Sequence, residues 1–109
     1  MANKTAATTA TFDDEVTKSP VLVIADFWAD WCVPCKTTTP LLEEIARGFG
    51  NQVKLVTINA DAEPEIAQRY DIMSMPTILL FRKGEVVRRQ VGAIPRHMLE
   101  KMISETLSL

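Results

Sequence analysis

Residues 21–29, Val-Leu-Val-Ile-Ala-Asp-Phe-Trp-Ala, are apolar at every position except Asp26. A strand with one wet face alternates apolar and polar side chains, and this run does not. It reads as a strand covered on both faces, so the chain must supply a layer on each side of a sheet. At 109 residues it suits one domain. A domain of that size buries roughly 60 to 70% of the surface its unfolded chain exposes, and it folds without disulfide staples.

The remaining elements follow from periodicity and breakers. Thr11, with Asp14 three residues on, is placed to cap a short helix that buries Phe12 and Val16 and stops at Ser19-Pro20. A second helix opens at Cys32–Cys35 and runs to about Phe49. Pro34 suits its first turn, and Leu41, Leu42, Ile45, Ala46 and Phe49 recur at helical spacing. Pro40 inside it removes a hydrogen bond and predicts a kink. Residues 53–58 form a strand, 64–70 a short helix with Ile66, Ala67 and Tyr70 inward, and 77–81 a strand. Arg82-Lys83-Gly84-Glu85 turns into a return strand over 86–91. Pro95 starts a last helix with Met98, Leu99, Met102 and Ile103 facing in. Strands separated by helices imply parallel βαβ units, and the hairpin adds an antiparallel pair. The fold class is α/β, a mixed sheet with helices on both faces.

Charge and hydropathy exclude several classes. The net charge is −2, without the basic excess that nucleic acid or an anionic membrane requires, and Arg88-Arg89 is too short for such a patch. The longest apolar run, 20–25, is strand-sized and far from a membrane span. Residues 1–10 carry one lysine, no arginine and no apolar core. They read as neither secretory signal nor transit peptide, which points to a cytoplasmic protein.

Cys32 and Cys35, in Trp31-Cys32-Val33-Pro34-Cys35-Lys36, admit three readings. A structural disulfide closing so small a loop stabilises by only about 2 kcal/mol and does not persist in a reducing cytosol. Zinc wants four ligands, and beyond the two cysteines the chain has one distant histidine, His97, so a metal site would have to be shared between chains. A redox dithiol fits the strand-to-helix junction. There the helix dipole and free N–H groups favour a thiolate at Cys32, and Cys35 is placed to resolve a mixed disulfide.

The chain resembles the thioredoxin family from about Thr11 to Leu107. The matching segments are Asp26-Phe27-Trp28-Ala29, Trp31-Cys32-x-Pro34-Cys35-Lys36, Pro40, Met75-Pro76-Thr77, Phe81-Arg82-Lys83-Gly84 and Val91-Gly92-Ala93, in this order and spacing. The resemblance implies a thioredoxin fold of about five strands, three parallel plus a C-terminal antiparallel hairpin, with about four helices. Residues 11–109 would be the domain, and residues 1–10 a tail or weak first strand.

The implied activity is protein-disulfide reduction, with Cys32 as nucleophile and Cys35 as resolving thiol. Asp26 taken alone reads either as a polar-facing strand residue or as a buried proton acceptor; the resemblance implies the acceptor. Lys36 reads either as a thiolate stabiliser or as a solvated side chain. Substrate contacts are implied at Trp31, Val33, Pro34, Met75, Pro76, Gly92 and Ala93. Pro76 would follow a cis bond, where base rates favour trans. No bound cofactor or metal is implied. Electrons would come from NADPH through a thioredoxin reductase, and the partners would be that reductase and disulfide-containing proteins, acting on a monomer.

Two departures stand out. Val33 replaces the family's usual glycine, which implies a shifted reduction potential. Thr57 replaces a common lysine, and the lost cation should let the Asp26 pKa rise. A binding or chaperone module on the same fold, and a disulfide oxidase or isomerase, are the competing functions.

Overall fold

The computed structural model describes residues 4–109. One mixed sheet carries all five described strands: β1 (Lys4–Ala6), β2 (Leu22–Trp28), β3 (Val53–Asn59), β4 (Thr77–Arg82) and β5 (Glu85–Val91), in the order β1-β3-β2-β4-β5. β1, β3 and β2 are parallel, and β4 runs antiparallel to β2 and to β5. The helices are α1 (Cys35–Phe49), α2 (Pro64–Arg69) and α3 (Arg96–Leu107). A π-helical segment at Asp13–Thr17 and a 3-10 turn at Gly50–Gln52 complete the set.

The apolar run becomes the central strand. Along β2, Leu22 and Ile24 pack under α1 and α3 with Leu42, Ile45, Leu80, Leu99 and Ile103. Val23, Ala25 and Phe27 point the other way and pack with Phe12, Ile58, Ile66, Leu79 and Phe81. Burial on both faces explains the missing alternation.

The hairpin turn is two residues, Lys83 (φ +53°) and Gly84 (φ +81°). Positive φ at both positions is what a type I′ connection requires. A bulge at Leu80/Phe81 shifts the β4–β5 register.

Four expectations are corrected. The Thr11 hydroxyl accepts from the Thr8 N–H (2.9 Å), and the segment after it begins with no side-chain cap, so the capping box does not form. The second helix begins at Cys35, with Cys32 in the preceding turn and its N–H on the Ala29 carbonyl, 3.1 Å. α2 does not complete a parallel crossover, because the strand it leads into is antiparallel to the sheet's centre. Met98 is 47% exposed: helical spacing marks a stripe, but Leu99, Met102 and Ile103 already fill the contact with the sheet. Phe12 and Val16 are buried as expected. α1 runs unbroken through Pro40.

Candidate active site

The turn between β2 and α1 delivers the two cysteines to the sheet's edge of strand ends. Pro34 takes helical angles (φ −61°, ψ −27°) as the residue ahead of α1, and the next N–H groups close tight turns onto Val33 and Pro34. Cys32 and Cys35 form a disulfide. Both sulfurs belong to a small buried cluster with Ala29, against which Trp28 and Met75 pack. The Cys35 N–H donates to Cys32 Sγ at 3.2 Å. On reduction the same N–H and the start of α1 favour negative charge on Cys32.

Two large apolar side chains beside the pair are open to solvent. Val33 is 73% exposed and Trp31 63%. The Trp31 ring is held by its indole N–H, which donates to Asp61 Oδ2 at 2.9 Å. The Met75–Pro76 bond is cis. The Gly92 N–H donates to the Pro76 carbonyl at 2.8 Å, tying the loop after β5 to the loop before β4. Gly92 has φ +88°, and open space surrounds the position a side chain would take. Ala93, Pro34 and Lys36 are exposed.

Asp26 is fully buried. Its Oδ2 accepts from the Thr39 hydroxyl (2.5 Å), and its Oδ1 has no partner among the described residues. Burial raises its pKa from 3.8 to about 6, against the lowering pull of the Thr39 bond and of the Lys4 charge. A cavity of about 380 Å³ lies behind Cys35, lined among others by Lys4, Trp28, Lys36, Thr39 and Thr57.

The expected loss of a cation near Asp26 is thereby corrected in part. Thr57 is its register partner on β3, uncharged as the sequence says, but Lys4 on the next strand supplies a positive charge. Sequence reasoning missed Lys4, Thr39 and Asp61. Thr39 alone carried a signal, standing four residues after Cys35 on the same helix face. Among the described residues no cluster of three His, Cys, Asp or Glu side chains can hold a metal ion, and no helix is long and apolar enough to cross a membrane.

The disulfide at the start of α1 thus lies beside a cis-proline loop on a mixed five-stranded sheet. The family model described as Thioredoxin matches residues 3–105. Thioredoxin 1 of Synechococcus elongatus is 41% identical across 98% of this chain and all of its own length. The thioredoxin of Bacillus subtilis is 41% identical across 93% of this chain and 95% of its own. That of Porphyra purpurea is 40% identical across 93% and 94%. The chain belongs to the thioredoxin family, with Cys32–Cys35 as its redox-active pair.

Proposed function

We propose that this protein reduces protein disulfides in the cytoplasm, recharged from NADPH by a thioredoxin reductase. Cys32 thiolate attacks a substrate disulfide; one substrate sulfur leaves as thiolate and takes a proton, and Cys32 stays bonded to the other. Cys35 gives its proton to Asp26 and attacks Cys32 Sγ. The Cys32–substrate bond breaks, the substrate departs with both electrons, and the Cys32–Cys35 disulfide re-forms. The observation that carries this reading is the Cys35 N–H aimed at Cys32 Sγ at the start of α1, which favours charge on the attacking sulfur. Trp31, Val33, Pro34, Met75, Pro76, Gly92 and Ala93 form the rim on which an extended substrate segment lies, pairing with the Met75 backbone as an added strand. Lys36, on the exposed first turn of α1, adds positive charge near the thiolate. No prosthetic group takes part, and the protein acts as a monomer.

Insulin reduction with NADPH and a bacterial thioredoxin reductase tests this. Turnover is expected for the natural protein and none for Cys32→Ser; Cys35→Ser accumulates a mixed disulfide with insulin. Absence of turnover by a protein whose two thiols are free would overturn the reading.

A further inference from the structure

The Asp26 carboxyl has neighbours on every element packed around it. Ile78 on β4 and Thr57 on β3 are its uncharged register partners. α1 contributes Cys35, Lys36 and Thr39 to the cavity, Asp30 stands at its wall, and β1 contributes Lys4. The Lys4 ammonium also pairs with Glu43 of α1 at 3.7 Å. Of all these groups, only Thr39 reaches the carboxyl with a hydrogen bond.

That bond is unusual for a threonine within a helix. Such a hydroxyl commonly donates to the carbonyl one turn back. Thr106 in α3 does so, donating to the Met102 carbonyl at 2.8 Å. A hydroxyl has one proton to give. Thr39 gives it across to the sheet, to Asp26 Oδ2, from the face of α1 that carries Cys35 one turn earlier.

We propose that Thr39 is a positioning residue for disulfide exchange: its hydroxyl fixes Asp26 Oδ2 and stabilises the carboxylate beside the cavity behind Cys35, with Lys4 as the facing charge. The proposal rests on the role of Asp26 as proton acceptor. A carboxylate that must take the Cys35 proton has to be ionised beforehand. Burial opposes ionisation, while the Thr39 bond and the Lys4 charge favour it. Thr39 and Lys4 together therefore do what a cation at position 57 would do from inside the sheet.

Thr39→Val keeps the branched shape and removes the hydroxyl; Thr39→Ser keeps the hydroxyl. Two readouts apply: the NMR titration of the Asp26 carboxyl carbon in the oxidised protein, and the pH profile of substrate release from a preformed Cys32 mixed disulfide. Thr39→Val is expected to raise the Asp26 midpoint by roughly one pH unit, about tenfold in proton affinity, and to move the acid limb of the profile upward with it. Thr39→Ser is expected to stay at the natural values, and Thr39→Val in an Asp26→Asn background to move the profile no further. Thr39→Ala repeats the test should the valine variant fold poorly.

A Thr39→Val midpoint that does not move overturns the proposal, even if the rate falls equally at every pH. An Asp26→Asn variant with the natural pH profile overturns instead the acceptor role on which the proposal stands.

Discussion

The two faces of the sheet are built from alternate residues of one strand and end differently. On the face toward the π-helical segment and α2, Val23 and Ala25 are followed by Phe27, and three rings close the layer. Phe81 stands edge-on to Tyr70 and Phe12, with centroids 5.2 and 5.8 Å apart. On the face toward α1 and α3, Leu22 and Ile24 are followed by Asp26, and the packing gives way to the cavity behind Cys35. The same strand thus carries a sealed layer and a reactive one. A layer that only holds the fold can exclude every polar group. In the role proposed for Asp26, the other layer has to keep a buried carboxyl and leave room beside it, at a cost in stability.

The sharpest way to break this contrast is to open the sealed face. Phe81→Ala is expected to lose about 3–5 kcal/mol in urea unfolding, equally at pH 5 and pH 8, because the side chains packed in that layer include no carboxyl or imidazole. A pH-dependent loss would mean that the two faces are coupled.

The reactive face gives the next effect. Between pH 3.8 and about 6 the folded protein holds the Asp26 proton more tightly than the unfolded chain does. Stability therefore falls as pH rises through that window, by about 3 kcal/mol from this group, and below the window the group contributes nothing. Asp26→Asn is expected to abolish that fall, as read by unfolding of the oxidised protein at pH 4 and pH 7.5. A fall of the same size in the variant would assign it to another group.

The third effect lies at the rim of the sealed face. A methyl group on Gly84 would stand 3.0 Å from the Thr17 carbonyl, at φ +81°. Gly84→Ala should cost about 1–2 kcal/mol or more by thermal unfolding, with the exchange rate unchanged. The smallest effect belongs to the solvent side of the segment that covers the sealed face. Asp14 and Lys18 pair at 3.2 Å with both side chains in water, and Asp14→Asn should change stability by less than about 0.5 kcal/mol in the same assay.

How far the sequence could be read differs between these faces in the same way. The sealed layer was legible, because burial on both sides of β2 writes itself as an unbroken apolar run and Phe12 and Ile66 fall at helical spacing. Cys32 and Cys35 were legible from their motif, and Asp26 stood out as the one charged residue of the apolar run. Thr39 was visible only by its place one turn after Cys35 on the same helix face, since its bond crosses from α1 to the sheet and no local pattern records where a hydroxyl points. Lys4 was hidden for a related reason: its strand reaches the site only because β1 docks on β3, with Ala6 opposite Thr57. Met98 shows the opposite error. Its spacing marks it as inward, but spacing does not say how wide a stripe the neighbouring layer will cover.

The margins of the sheet carry a consequence of their own. Among the described residues β1 covers Lys4–Ala6. At the other margin β5 is exposed along nearly its whole length, but the bulge at Leu80/Phe81 breaks the regularity of its pairing, and Arg88 and Arg89 stand on it as bulky charges. The β5 border therefore offers no uniform, uncharged ladder to a strand from another molecule. Three apolar side chains on β5, Val86, Val87 and Val91, are thus tolerated in water without making that border a seed for aggregation.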